Sequence, residues 1–211
     1  MSPEDELRRR ITGYFAGKLG EHGATARGVD WNSEAGQVLR FRQLLRIAEN
    51  GSPISITDFG CGYGALADHL LSSNLAFEYF GLDISADMIA AARARYPGHG
   101  SIAFAEGSVP DRPRDYCVAS GIFNIKLDTP DEEWLVHILG VLDVMHEYSR
   151  KGFAFNILTS YSDADKMRSD LYYADPLRMF DHCKRRYARN VALLHDYGLY
   201  EFTILVRKAV S

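Results

Sequence analysis

Hydrophobic residues follow two different periodicities along most of the chain after residue 53. Short apolar runs of strand length recur at 54–59, 77–83, 101–106, 115–120 and 152–159. Between them, apolar positions repeat at helical spacing near 64–73, 85–96 and 131–149. Because strands alternate with helices, the pattern predicts an α/β fold with a mostly parallel sheet.

The end of the chain departs from this alternation. After a predicted helix at 176–186, two apolar runs at 191–194 and 201–207 follow, joined by His195-Asp196-Tyr197-Gly198. This short polar link predicts a C-terminal antiparallel hairpin. Between the third and fourth strands, residues 109–114 include two prolines and are too few for a full helix. We therefore expect the strand–helix alternation to be shortened there.

The first 50 residues are predicted to form a helical cap outside the sheet. One helix ends near Lys18, and a glycine-punctuated loop over 20–33 leads into a second helix. A loop of this length is either a mobile cover or a simple connector. Since 211 residues fit one domain, we expect an N-terminal cap or lid at 1–50 and a core at 51–211 within the same domain.

The charge balance argues against nucleic acid as a substrate. The chain has 24 Lys and Arg against 28 Asp and Glu, which gives a net charge of −4 without a broad basic stretch. Its three cysteines lack metal-ligand spacing, and no apolar run reaches membrane-spanning length. With no apolar signal core at the amino terminus, we expect a cytoplasmic protein that acts on a small molecule and binds neither nucleic acid nor membrane.

The strongest chemical signal lies at residues 56–64, which read Ile-Thr-Asp-Phe-Gly-Cys-Gly-Tyr-Gly. A buried strand leads to Asp58, and three glycines follow at alternate positions before a helical pattern begins. Glycine has no Cβ, so a ligand can lie directly against the backbone of such a turn. A carboxylate at Asp58 would repel a pyrophosphate and attract a ligand with ammonium and sulfonium charge. The turn therefore predicts a site for a nucleoside with a cationic tail.

This acid-x-Gly-x-Gly-x-Gly pattern resembles the first motif of the class I S-adenosylmethionine-dependent methyltransferases. Three further landmarks are similar to that family in the same order: a strand at 77–83, a strand and turn at 102–108, and a strand at 116–121. The resemblance implies a Rossmann-like, doubly wound sheet of seven strands in which the last is inserted antiparallel. It also implies S-adenosyl-L-methionine as the methyl donor and S-adenosyl-L-homocysteine as its product.

The resemblance assigns residues to the nucleoside part of the cofactor. Asp83 ends the second strand, where members of the family have a carboxylate that accepts hydrogen bonds from the ribose hydroxyls. Ile84 and Met88 would flank the adenine. Ser108, next to Gly107 in the turn after the third strand, occupies a position where the family commonly has an acid that faces the adenine amino group. A hydroxyl there could accept the same hydrogen bond.

The resemblance also assigns residues to the methionine tail. The carbonyls of Ser120 and Gly121 would hold the ammonium group, and Cys61 would be a small filler beside the cofactor. Arg40 or Trp31 would take the carboxylate, although a solvated arginine is the alternative. The full set of expected cofactor-binding residues is Trp31, Arg40, Asp58, Gly60, Cys61, Gly62, Gly64, Asp83, Ile84, Met88, Gly107, Ser108, Ser120 and Gly121.

The acceptor side carries weaker signals. Residues 120–123 do not match the Asn-Pro-Pro-Tyr signature of enzymes that methylate base or amide nitrogens. The sequence also lacks an acid triad after the fourth and fifth strands and a zinc-type His/Cys cluster. We therefore expect no metal.

Tyr172, Tyr173 and His195 are the candidates for catalysis. The segment 159–176 follows the fifth strand and should overhang the methyl group. Its three tyrosines, with Lys166 and Arg168 between them, would form an aromatic wall for an anionic or aromatic substrate. Tyr172 and Tyr173 could instead simply pack between helix and sheet. His195 follows the sixth strand and is either a base or a residue with a structural hydrogen bond.

These features predict a metal-independent methyltransferase that acts on oxygen or nitrogen of a small molecule. Transfer would be in line and controlled by proximity and orientation. Two alternatives stay open. Gly60-x-Gly62-x-x-Ala65 satisfies the loose dinucleotide fingerprint, so an NAD(P)-dependent oxidoreductase is one. A non-catalytic S-adenosylmethionine-binding module is the other.

Overall fold

The computed structural model describes residues 3–48, 53–73 and 75–209. In these residues the chain forms the helices α1 (Pro3–His22), α2 (Glu34–Leu45), α3 (Ala65–Leu71), α4 (Ala86–Arg95), α5 (Asp131–Glu147) and α6 (Pro176–Arg186). The strands are β1 (Ile54–Phe59), β2 (Phe77–Asp83), β3 (Ile102–Glu106), β4 (Arg114–Ala119), β5 (Ser149–Leu158), β6 (Asn190–Leu194) and β7 (Glu201–Arg207). Single 3₁₀ turns lie at Arg27–Val29, Arg46–Ala48 and Ala164–Lys166.

All seven strands belong to one sheet in the order β3-β2-β1-β4-β5-β7-β6. β1 pairs in parallel with β2 and β4, and the parallel pairing continues to β3 on one side and β5 on the other. β7 lies between β5 and β6 and is antiparallel to both. The predicted Rossmann-like α/β fold with an antiparallel C-terminal hairpin is therefore confirmed.

Helices cover both faces of the sheet because its central strands are apolar on both sides. On one face, Trp134 and Ile138 of α5 and Met179 of α6 pack against the sheet. On the other face, α2, α3 and α4 contribute a second cluster that includes Phe41 and Leu66. The doubly covered sheet leaves its strand ends as the natural place for a ligand.

Two boundaries differ from the sequence prediction by more than two residues. α1 continues to His22, because the helix is ended by Gly23 rather than Gly20. Gly23 has a φ of +65°, and its N–H donates to the carbonyl of Leu19 at 2.8 Å, which is a left-handed glycine termination. β5 begins at Ser149 rather than near 152, since Ser149 already pairs with Arg114 ahead of an irregularity in the β4–β5 register.

The connection from β3 to β4 contains no helix, as the two prolines predicted. In the described part of the chain, no helix has both the length and the apolar composition that crossing a membrane requires.

Candidate active site

A cavity of about 370 Å³ lies at the carboxyl ends of the parallel strands. The sheet order reverses between β1 and β4, and this switch point is where doubly wound sheets bind their ligands. The ends of β1, β2 and β5 and the turns after β3 and β4 contribute to its lining. Residues of α1, α5 and the segment 29–32 contribute the rest of the wall, with residues of α2, α3 and α4.

The turn after β1 requires glycine for steric reasons. Gly60 has a φ of +66°, and a Cβ added there would lie 2.2 Å from Cγ2 of Ile122. Its N–H donates to the carbonyl of Leu82 at 2.7 Å, which ties the turn to β2. Gly62 also lines the cavity, and an added Cβ would lie 2.9 Å from Val29. The close approach of Ile122 and Val29 therefore excludes side chains at Gly60 and Gly62.

Gly64 is not part of the cavity wall. It is the N-cap of α3, and its carbonyl accepts a hydrogen bond of 2.7 Å from the hydroxyl of Tyr96. An added Cβ would meet Tyr96 and Phe104. The structure therefore accounts for this third glycine by packing, and a cofactor role for Gly64 has no geometric support.

Asp58 is 3% exposed and accepts a hydrogen bond of 2.7 Å from the hydroxyl of Tyr79. Burial raises the pKa of Asp58 from 3.8 to about 7, against the effect of the Tyr79 hydrogen bond and with a further contribution from Asp83. A cation beside this carboxyl group would favour its ionised form.

Asp83 accepts one backbone hydrogen bond on each carboxylate oxygen. The N–H of Gly62 donates to Oδ2 and the N–H of Ser85 donates to Oδ1, both at 2.9 Å. Burial raises the pKa of Asp83, and the backbone hydrogen bonds oppose this shift. Since a carboxylate oxygen can accept two hydrogen bonds, each oxygen keeps one acceptor position for a ligand hydroxyl.

The structure brings the other expected nucleoside-binding residues to the same end of the cavity. Ile84, Met88, Gly107 and Ser108 all line it. The N–H of Gly107 donates to the carbonyl of Asp83 at 2.9 Å, so the turn after β3 is joined to the end of β2. Cys61 lines the cavity as well, and burial raises the pKa of its thiol well above 9.0.

Trp31 and Arg40 both line the cavity and contact each other. The guanidinium carbon of Arg40 lies 3.9 Å from the centroid of the Trp31 ring. Arg40 also forms an ion pair with Glu201, whose side chain is fully buried. Burial lowers the pKa of Arg40 and raises the pKa of Glu201 to about 7. Arg40 lines the cavity but is held by an internal carboxylate, so the solvated-arginine alternative is wrong.

The three predicted catalytic side chains do not line this cavity. Tyr172 and Tyr173 border a separate depression of about 220 Å³ with Asp131, Glu132 and Arg178. Tyr172 is 8% exposed and belongs to the core. His195 is exposed in the β6–β7 turn, beside the rings of Tyr161 and Phe202. The burial of Tyr172 favours a packing role for it, and the hydroxyl of Tyr173 accepts a hydrogen bond from the N–H of Arg168 at 3.0 Å. The segment after β5 does reach the cavity, but through Arg168 and Leu171 rather than through the tyrosines.

Other residues form the wall beyond the glycine turn. This part of the cavity is mostly apolar, with an imidazole and guanidinium groups among its polar side chains. The apolar lining residues are Leu7, Ile11, Phe15, Ile122, Ile125, Val141, Leu158 and Leu171, and the polar ones are Asp5, Arg8, Thr12, Asn124, His137 and Arg168. Sequence reasoning missed the part played by α1 and α5, whose apolar positions read as ordinary helix packing.

A family model described as a methyltransferase domain matches residues 57–143 of this chain. The chain is also 56% identical over 165 residues to "Putative methyltransferase Rv1506c" of Mycobacterium tuberculosis strain H37Rv, an alignment that covers 78% of this chain and 99% of that protein. The chain belongs to the class I S-adenosylmethionine-dependent methyltransferases. This membership decides between the methyltransferase interpretation and the oxidoreductase alternative in favour of the first.

Solved structures share the fold of this methyltransferase. Magnesium protoporphyrin IX methyltransferase (ChlM) from Synechocystis PCC 6803 with bound SAM has a TM-score of 0.66 at 13% identity, over 96% of this chain and 97% of that chain. The DhpI–SAH complex has a TM-score of 0.65 at 17% identity, over 97% and 98%. At such identities the likeness concerns the fold.

The methyl donor of this methyltransferase is S-adenosylmethionine, and the cavity suits it on three counts. Gly60 and Gly62 line it without side chains, so a ligand can lie against their backbone. Asp83 keeps an acceptor position on each oxygen. The hydroxyl oxygen of Ser120 is buried at the cavity wall and has no hydrogen-bond partner among the described residues.

Proposed function

We propose that this methyltransferase acts on a small molecule, at oxygen or nitrogen, by in-line transfer without a metal. One observation carries the proposal. The cavity continues beyond the glycine turn into a mostly apolar chamber between α1, α5 and the ends of β4 and β5, with Arg8, His137 and Arg168 among its polar groups. Such a chamber fits an apolar or aromatic acceptor better than a polymer, whose binding needs an extended positive surface.

The proposal places the donor by the residues described above. Asp83 would accept from the ribose hydroxyls, with Ile84, Met88 and Ser108 around the adenine. Asp58 and the turn carbonyls of Ser120 and Gly121 would face the cationic methionine tail. The bound donor supplies an electrophilic methyl group on a sulfonium. The chain itself would exclude water and hold the acceptor in line, and orientation of this kind is worth an effective molarity of about 10⁵–10⁸ M.

The chain's first 50 residues have a defined part in the proposal. Leu7 and Ile11 of α1 and Trp31 line the cavity, while Phe41 of α2 packs in the core beside the sheet. We propose that residues 1–50 are a cap that belongs to the same domain as the core at 51–211.

Metal independence is tested together with the acceptor class. Among the described residues, no cluster of three or more His, Cys, Asp or Glu side chains could hold a metal ion. The protein is incubated with methyl-labelled S-adenosylmethionine and a fractionated cell extract, with and without a chelator. We expect label in the small-molecule fraction at a rate that the chelator leaves unchanged. Label found in protein or nucleic acid alone would contradict the acceptor class.

The same assay addresses a binding module without turnover. If the protein binds S-adenosylhomocysteine but labels no fraction, the non-catalytic alternative replaces the proposal. A chelator-sensitive rate would refute metal independence only.

Cofactor affinity is expected to rise about ten-fold between about pH 6 and about pH 7.5, because Asp58 with a pKa of about 7 ionises over this window. Because the pKa of Asp58 is higher in the folded protein than its ordinary value of 3.8, the group stabilises the fold fully below pH 3.8. This contribution to the free energy of unfolding is lost as the pH rises to about 7. The apoprotein therefore becomes less stable where the cationic donor gains affinity. Calorimetry with S-adenosylhomocysteine at a series of pH values measures the effect.

Tyr79→Phe tests whether Asp58 causes this pH dependence. It removes the hydrogen bond that favours ionised Asp58, so the midpoint of the affinity curve should move to higher pH. A flat curve in the native protein, or the same midpoint in both proteins, would show that Asp58 does not face the cationic tail.

A further inference from the structure

A buried acid lies at the cofactor end of the cleft, at a position that the sequence analysis did not single out. Glu201 is the first residue of β7 and is 1% exposed. β7 is antiparallel to its neighbours, so its first residue lies at the same edge of the sheet as the carboxyl ends of the parallel strands. Its carboxylate forms the ion pair with Arg40.

Asn156 connects Glu201 to the turn after β4. Nδ2 of Asn156 donates to Oε2 of Glu201 at 3.0 Å, and Oδ1 of Asn156 accepts from the N–H of Gly121 at 2.7 Å. Asn156 is completely buried. Both ends of its amide are therefore used, and this fixes the orientation of the side chain.

Trp31 completes a closed ring of contacts. Its indole stacks on the guanidinium of Arg40 and lies against Gly121, where an added Cβ would be 2.2 Å from Cζ2. The ring therefore runs from Trp31 through Arg40, Glu201 and Asn156 to Gly121 and back to Trp31. It joins the N-terminal segment, α2, β7, β5 and the turn after β4 at one place.

The cost of burying charge makes a purely structural role for Glu201 unattractive. Replacement of a buried ion pair by apolar side chains is often neutral or stabilising, and the contact between Arg40 Nε and Glu201 Oε1 lacks hydrogen-bond alignment. An ion pair of this kind contributes more to the placement of its partners than to stability. One partner of Glu201, Arg40, lines the cavity, and the other, Asn156, accepts a hydrogen bond from Gly121, which also lines it.

We propose that Glu201 is a positioning residue for the methyl donor: it holds Arg40 and, through Asn156, the Gly121 turn, so that Trp31 closes the methionine-tail end of the cleft. The inference rests on the proposed placement of the donor. Glu201 itself does not line the cavity and would touch neither donor nor acceptor.

Glu201→Gln is the direct test. The change keeps the shape of the side chain and removes the charge that holds Arg40. Binding of S-adenosylhomocysteine should weaken about ten-fold, the effect of one displaced charge-assisted interaction. The turnover number at saturating donor should change less than the KM for the donor. Glu133→Gln, at an exposed position of α5, is the matched control and should behave as the native protein.

Trp31 fluorescence supplies a readout that a merely structural role would not change. The chain has two tryptophans, so a Trp134→Phe background leaves Trp31 as the reporter. In that background, Glu201→Gln should shift the emission to longer wavelength and increase quenching by acrylamide. Glu201→Asp, which retains the charge on a shorter side chain, should have an intermediate effect and provides the test if the glutamine variant does not fold.

The outcomes separate this inference from the proposed function. A folded Glu201→Gln or Glu201→Asp protein with native Trp31 emission and native affinity for S-adenosylhomocysteine overturns the positioning role. A native protein that does not bind S-adenosylhomocysteine overturns the proposed function itself. Weaker binding with unchanged Trp31 emission also rules out positioning through Trp31.

Discussion

Replacement of Asp83 by alanine is expected to weaken the binding of S-adenosylhomocysteine by more than about 100-fold. The carboxylate would lose two hydrogen bonds to the ribose hydroxyls, each worth about 1.5–3 kcal/mol when one partner is charged. The same change releases the N–H groups of Gly62 and Ser85, which Asp83 holds at 2.9 Å. The loss of affinity therefore combines missing contacts with a loosened glycine turn. Titration calorimetry measures it.

Asp83→Asn separates the two contributions. An asparagine has one acceptor oxygen, so it can keep only one of the two backbone N–H groups, and we expect a loss between those of the native and alanine proteins. Asp87→Ala, four residues further on at an exposed position of α4, is the matched control and should bind normally. Native affinity in Asp83→Ala would remove the ribose assignment.

Replacement of Gly60 by alanine is expected to lower the free energy of unfolding by about 3 kcal/mol and cofactor affinity by more than about ten-fold. An L-residue at a φ of +66° costs about 1–2 kcal/mol. The new Cβ would also lie 2.2 Å from Ile122, and such overpacking costs about 1–3 kcal/mol more. Ile122 lines the cavity, so its displacement should reach the ligand.

Gly98→Ala is the matched control for the backbone strain. Gly98 has a φ of +71°, yet an added Cβ would meet nothing within 4 Å. We expect about 1–2 kcal/mol of destabilisation with unchanged binding of S-adenosylhomocysteine. Calorimetric melting and titration of both variants compare the two effects. Equal losses in Gly60→Ala and Gly98→Ala would show that contact with Ile122 is unimportant.

The sequence predicted most of the fold because strand and helix patterns are local. β1 and β2 are central strands, and their apolar runs stop where the structure ends them, while β4 ends one residue before its run. The predicted end of α1 was wrong because two nearby glycines could each end the helix. Gly20 and Gly23 both follow the apolar part of α1, and the hydrogen bond from Gly23 to Leu19 selected the second.

That most of the expected cofactor-binding residues line one cavity could also be predicted, since they follow the ends of consecutive strands. Asp58 and Asp83 lie at the ends of β1 and β2, which are paired in parallel, and Gly60 directly follows β1. Gly64 shows the limit of such reasoning. It belongs to the same glycine pattern, but the packing of Tyr96 against it is a contact across 32 positions that the motif does not contain.

By itself the sequence determined the sheet, the family and the glycine turn, because each depends on residues that are neighbours along the chain. Only the tertiary structure decided the acceptor wall and the partners of Arg40. Asn156 meets Gly121 across 35 positions and Glu201 across 45, and α1 reaches the cavity from the other end of the chain. Contacts of this kind are set by how the covering elements pack on the sheet, and a linear pattern of apolar and polar residues carries no direct record of them.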